Sequence, residues 1–259
     1  MDLRIHGRHA IVCASSRGLG RACAEALARE GVNVVINGRD AQAVEATAAD
    51  IGVATGAIVT PVVGDLNTDE GRQRLLAACP APDILVNNNA GPPPGPFVAS
   101  TDQQWRDGLN ANLIAPMSLI KAVVTGMQER RFGRIVNITS AMVKEPHPMM
   151  TISTAARTGL TALCKGVSGD VAKDNVTINN LLPERFDTDR QKRMVEAAMA
   201  YKGWSREAAE AYMVDQVAAK RLGQPTEFGD ACAFLCSAQA GYISGQNLQL
   251  DGGSYPGLI

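Results

Sequence analysis

The chain has 259 residues, of which 46% are hydrophobic and 20% charged, with a formal net charge of −1. That composition supports one large α/β domain with an ample core, and its scattered basic residues exclude a nucleic-acid or membrane-surface patch. Met1-Asp2-Leu3-Arg4 starts no secretory leader, no uninterrupted apolar run nears the roughly 18 residues of a membrane span, and the six cysteines lack CxxC spacing. The expectations are a cytoplasmic protein with reduced cysteines and no bound metal.

Strand-like and helix-like stretches alternate from end to end. Residues 9–14 form an apolar run ending in a Gly/Ser turn, and residues 19–30 carry apolar side chains at helical spacing. The β-branched run 32–36 ends at Asn37-Gly38. Helix is predicted at 41–51, strand at 57–63, helix at 69–78 and strand at 83–86. A Pro/Gly loop precedes one long helical segment, 101–129. Strand 134–139, helix 152–172 and strand 177–181 follow. A helical insertion at about 189–219, a helix at 227–237 and a short strand at 248–250 complete the chain. About seven strands alternating with helices imply right-handed βαβ units, hence a single-domain, doubly wound parallel sheet of Rossmann type spanning 1–259.

Ser15-Ser16-Arg17-Gly18-Leu19-Gly20 joins the first strand to the first helix. Glycines there let backbone approach a pyrophosphate, and the helix start offers free N–H groups with about half a positive charge. The end of the second strand chooses between NAD and NADP. A carboxylate would hold the ribose 2′-OH and repel a 2′-phosphate. Here stand Asn37-Gly38-Arg39, with no acid before Asp40, and Arg17 adds a second cation. Two guanidiniums suit a phosphate dianion, so NADP(H) is the predicted cofactor.

With these motifs in place, the chain resembles the short-chain dehydrogenase/reductase family over nearly its whole length. The family's TGxxxGxG turn matches Cys13 to Gly20, with Cys for Thr and Ala14 for the first Gly. Its adenine-contacting acid matches Asp65, beside Leu66, and its NNAG matches Asn88-Asn89-Ala90-Gly91. Its catalytic asparagine and serine match Asn112 and Ser140. Arg221-Leu222-Gly223-Gln224-Pro225 and the stretch from Gly245-Gln246 to Asp251-Gly252-Gly253 are similar to its tail. The resemblance implies cofactor contacts from Ser15 to Gly20 and at Asn37, Arg39, Asp65, Leu66, Asn89, Ala90, Gly91, Arg157, Pro183, Phe186 and Thr188. It also implies a homo-oligomer, usually a tetramer.

Three positions depart from the pattern. At Ala14, a positive φ would cost about 1 kcal/mol for its β-carbon. In Pro183-Glu184-Arg185-Phe186-Asp187-Thr188, matching PGxxxT, Glu184 replaces the glycine, bringing a carboxylate and a guanidinium towards the nicotinamide end. The YxxxK pair is Ser153-Thr154-Ala155-Ala156-Arg157. In the family the tyrosine passes a proton, the lysine lowers its pKa and grips ribose, the serine positions the carbonyl, and the asparagine holds a water relay. Ser153 and Arg157, as i and i+4, share a helix face about 5–6 Å apart. A serine hydroxyl is shorter and far less acidic than a phenol, and an arginine does not hand on a proton as lysine does. Losing positioned acid–base catalysis costs about 10²–10⁴-fold.

The expected function is reduction or oxidation of a small carbonyl, alcohol or imine, with Ser140, Ser153, Arg157 and Asn112 as catalytic candidates. A substitute acid could come from Lys144, Glu145, His147 or Glu184. The alternatives are non-redox chemistry (dehydration, isomerisation or hydrolysis) on the same scaffold, or a catalytically silent cofactor-binding protein. Met142, His147, Met149 and Glu184 are the candidate substrate contacts, with Val143, Met150, the Pro92–Phe97 loop and the insertion at 189–219 expected around the same pocket. The insertion, with Lys192, Arg193, Tyr201, Lys202 and Trp204, could close as a lid.

Overall fold

The computed structural model describes residues 1–258. Seven strands, β1 His9–Val12, β2 Asn33–Gly38, β3 Val59–Val63, β4 Ile84–Asn87, β5 Gly133–Ile138, β6 Val176–Pro183 and β7 Asn247–Leu250, make one sheet in the order β3-β2-β1-β4-β5-β6-β7. Every pair is parallel. The chain winds outward from β1 to β3, then returns to lay β4 on the other side of β1. That reversal opens a crevice above the carboxyl ends of β1 and β4, where such sheets bind ligands.

The period of two along each strand sorts the core into two layers. Ala10 and Val12 of β1 face one cluster with α1 (Gly18–Arg29), α2 (Ala41–Thr55) and α9 (Pro225–Cys236). Ile11 faces the other, with α3 (Asp69–Ala78), α5 (Ala115–Glu129) and α6 (Thr151–Val171). Each fully buried side chain of the size of Ile11, Leu27 or Ile84 contributes about 1.5–3 kcal/mol. All six cysteines are buried free thiols.

Helix α2 runs four residues past its predicted end. Gly52 is carried inside the helix, and the helix stops only at Gly56, which is left-handed at φ 74° and donates its N–H to Gly52 O. The predicted helix 101–129 is three pieces: α4 (Asp102–Leu109), a π turn at Asn110–Ile114, and α5. Pro116 has no N–H to return to the carbonyl of Asn112 one turn back, which loosens the ladder at that point. Among the described residues this segment alone is long and apolar enough to cross a membrane, by length and composition. This corrects the expectation of no run near that length: Asp107 and Lys121 interrupt the segment, yet its mean hydropathy stays at 1.2. Leu119, Ile120, Val123 and Met127 bury it against the sheet, as in a core helix.

A further device sits inside the sheet. Asn87, Asn137, Asn180 and Asn247 are in register on neighbouring strands. Each of the first three donates its amide to the side-chain oxygen of the next, at 2.9, 2.9 and 2.8 Å. This row satisfies otherwise costly buried amides and fixes strand register close to the crevice.

The insertion folds as α7 (Asp189–Lys202) and α8 (Arg206–Asp215) around a small core of Val195, Ala209 and Met213.

Candidate active site

The glycine turn is shaped by its neighbours. Ala14 adopts φ 44°, so its β-carbon carries the strain the sequence allowed for, and Gly18 adopts φ 58°. A β-carbon on Gly20 would lie 2.5 Å from Ala14 O and 2.8 Å from Asn88 Nδ2, so only hydrogen fits there. Asn88 Nδ2 donates to Ala14 O at 3.0 Å, tying the turn to the end of β4. Ser15 is fully buried, donating to Val12 O and accepting from Asn37 N. No side chain caps α1 and no acid stands in its first turn, so its N–H groups and positive end remain for an anion.

A cleft of about 390 Å³ runs from this turn across the carboxyl edges of the strands. Ser16, Arg17, Gly18 and Leu19 line it, whereas Ser15 and Gly20 support it from beneath. Arg39, Asp65, Leu66, Asn89, Ala90 and Gly91 continue the lining, and Pro183, Phe186 and Thr188 close the far wall. Asn37 also lines the cleft, but its polar atoms are committed. Its Oδ1 accepts from Ala14 N, and its Nδ2 donates to Val62 O and Gly64 O. Its place in cofactor choice is the carboxylate it does not carry. Asn89 likewise binds Asn67 and Ala111 O, clamping the turn after β4 onto the π turn.

Ser140, Ser153 and Arg157 meet at the middle of the cleft. Arg157 is buried, and its Nε donates to Ser153 Oγ at 3.2 Å. Its Nη1 donates to Ile138 O at 2.8 Å and Thr139 O at 3.1 Å, at the end of β5. Burial, with Arg190 adding repulsion, pulls its pKa down to about 10, so it stays charged at neutral pH. Because Ser153 Oγ accepts from Arg157, its own proton is free to donate towards the cleft. Ser140 Oγ accepts from Met142 N. Asn112 stands behind the cleft rather than on it, donating to Ala90 O and Gly108 O. It borders a separate cavity of about 20 Å³ shared with Asn87, Asn89 and Arg157, room for roughly one water.

On the substrate side, Met142 and Glu184 line the cleft. His147 and Met149 do not. His147 is exposed, its Nδ1 capping a turn by accepting from Met149 N, and Met150 takes the inward place. Burial raises the pKa of Glu184, aided by Asp251 and Glu145 and opposed by Arg185. The insertion expected around the pocket does line the cleft, and beside Arg193 it brings Arg190 and Gln191, which the sequence did not single out. A β-carbon on Gly91 would lie 3.1 Å from Arg190 Nη1 and 3.4 Å from Arg157 Nη2, so two guanidiniums converge there. Arg17, Arg39, Arg190 and Arg193 all line the cleft, and none makes a side-chain hydrogen bond or ion pair among the described residues.

A family model described as enoyl-(acyl carrier protein) reductase matches residues 13–255. The chain is 32% identical to the NADPH-dependent reductase BacG of Bacillus subtilis, over 95% of this chain and 97% of that one. It is 30% identical to the 3-oxoacyl-[acyl-carrier-protein] reductase FabG of Vibrio harveyi, over 98% and 99%. The crystal structure of L-sorbose reductase from Gluconobacter frateurii, complexed with NADPH and L-sorbose, superposes over all of both chains with a TM-score of 0.94 at 27% identity. With the glycine turn, the strand order and these matches all spanning the same chain, the protein belongs to the short-chain dehydrogenase/reductase family.

Proposed function

We propose that the chain is an NADP(H)-dependent oxidoreductase acting on a small carbonyl, alcohol or imine substrate through an altered proton-relay site. The observation that carries this reading is one continuous cleft. It begins at an uncapped helix start with unpaired Arg17 and Arg39, and it passes Ser140, Ser153 and Arg157. The residues fit the nucleotide: Gly20 leaves no room for a side chain under the turn, and Arg157 and Arg190 hold like charges together at Gly91 with no ion pair to either among the described residues. A phosphate group relieves that repulsion. When bound, NADPH supplies hydride to an electrophilic carbon.

The chain's own residues do the rest. Arg17 and Arg39 take the 2′-phosphate, and the α1 N–H groups take the pyrophosphate. Arg157 is held by Ile138 O and Thr139 O, so its Nη2 edge is left for ribose oxygens beside Gly91. Ser140 and Ser153 donate hydrogen bonds to the substrate oxygen, with the Ser153 hydroxyl oriented by Arg157 Nε. Asn112 positions the turn at Ala90, and the small cavity behind Arg157 admits a water that can replenish a proton. Such a site suits activated carbonyls or iminium groups, which need little acid assistance.

The test is stoichiometric loss of NADPH absorbance with an activated-ketone and imine panel, alongside calorimetry with NADPH and NADH. Conversion of substrate without any absorbance change would replace this reading with non-redox chemistry. Tight NADPH binding with no turnover of any panel member would leave a binding protein. We also propose a homo-oligomer, supported by the exposed, small-residue face of α6 at Ala155, Ala162 and Gly166, which permits close helix approach. A stable monomer at micromolar concentration in sedimentation would refute it.

A further inference from the structure

Arg185 is a cation of the cleft wall with a buried donor that has no acceptor. Its side chain is mostly buried, its Nη1 donates only to the thioether sulfur of Met213 at 3.0 Å, and its Nε is buried with no acceptor. Sulfur is a weak acceptor. Its one ionic neighbour, Glu184, stands 3.8 Å from Nε, beyond hydrogen-bond reach. Burial raises the pKa of Glu184 in spite of the opposing charge of Arg185, with Asp251 and Glu145 adding to the rise. The Nε–Nη2 edge, which grips a carboxylate through two parallel bonds, therefore makes no hydrogen bond within the protein.

A second donor points the same way. Gln191, on the first turn of α7, is only 6% exposed, lines the same cleft, and its Nε2 is buried without an acceptor. A buried amide or guanidinium N–H without a partner is costly and rare, so two on one cleft call for an acceptor from outside the chain. Arg193, also unpaired, adds positive charge on α7. Arg17, Arg39 and Arg190 lie with the glycine turn and Gly91 and are accounted for by the nucleotide.

Resting on the oxidoreductase reading above, we infer that the substrate is a small organic acid, its carboxylate bound side-on by Arg185 with Gln191 donating a further hydrogen bond. The carboxylate replaces the loose Glu184 contact and fixes the substrate in the half of the cleft beyond Ser140 and Ser153. A keto or imino acid, with its electrophilic carbon close to the carboxylate, fits this arrangement.

Calorimetry on the full-length protein saturated with NADP⁺ tests it, using phenylpyruvate against its methyl ester and cyclohexanecarboxylate against cyclohexanecarboxamide. Each acid is expected to bind at least tenfold tighter than its neutral twin, as a charge-assisted bond implies. That preference is expected to vanish in Arg185→Leu, to be partly kept in Arg185→Lys, and to shrink in Gln191→Leu. The NADP⁺ affinity of each variant checks that it is folded. Equal affinity for acid and twin, binding of neither, or a preference surviving Arg185→Leu overturns the inference. Arg185-dependent acid binding with no NADPH loss in turnover assays sinks the redox reading alone. Equal reduction of acid and ester sinks the carboxylate site alone.

Discussion

Replacing Arg157 by methionine keeps the side chain's length and removes its charge and donors. Two carbonyls, Ile138 O and Thr139 O, lose their guanidinium, and Ser153 loses the group that orients it. Each buried acceptor left unsatisfied costs about 1–3 kcal/mol, hence about 2–6 kcal/mol for the two. Against this stands the burial penalty of the cation. A pKa pulled down to about 10 corresponds to roughly 3 kcal/mol against the charged form, which the variant no longer carries. The terms nearly offset, so the outcome for the free protein runs from a gain of about 1 to a loss of about 3 kcal/mol. At about 2–4 °C per kcal/mol for a chain of this size, Tm falls by no more than about 12 °C. Nucleotide binding loses both a charge-assisted contact and the relief of repulsion with Arg190, so NADPH affinity should fall about 10–100-fold. Thermal melts with and without NADPH, together with calorimetry, read both quantities. A variant that binds NADPH as tightly as the parent would refute the assignment of Arg157 to the nucleotide. One that fails to fold would show that its role is to hold the end of β5.

Other outcomes follow from the same geometry. Gly20→Ala places a β-carbon 2.5 Å from Ala14 O and should weaken NADPH binding at least tenfold while lowering Tm, measured by calorimetry and melting. Ala14→Gly, at φ 44°, should raise stability by up to about 1 kcal/mol in denaturant titrations. The double variant Arg17→Ala/Arg39→Ala should lose at least tenfold in affinity for NADPH with little change for NADH, as read by fluorescence titration. Glu184 binds its proton more tightly when folded, so its stabilising contribution is full below the ordinary carboxylate range and is lost as pH rises through the raised value. Glu184→Gln should therefore gain Tm relative to the parent as pH increases towards 8.

Local chemistry was legible in the sequence where a few adjacent residues decide it. The turn from Ser15 to Gly20, the stretch Asn88 to Gly91 and the i, i+4 pair Ser153 and Arg157 lie where their spacing placed them, because strand and helix periods fix their directions. What depends on distant segments was not. His147 is near Ser140 in sequence, yet its loop turns it to solvent, and of the expected Met149 and Met150 only Met150 reaches the wall. The asparagine row needs the register of four strands, which no single stretch encodes. Arg190 and Gln191 lie in the insertion expected at the pocket, but which of its residues face the cleft is set by how α7 docks over Gly91. Pro116 marks the break in 101–129, but the π turn it accompanies places Asn112 behind the cleft rather than on it.

Isotope transfer tests the central claim most directly. NADPH carrying deuterium at one defined face of the nicotinamide C4 is incubated with the enzyme and a substrate it converts, and the product is weighed by mass spectrometry. One face should deliver a single deuterium to the product carbon that bore the oxygen or nitrogen, in step with NADP⁺ formed. Product without label from either face, at undiminished yield, would contradict the account.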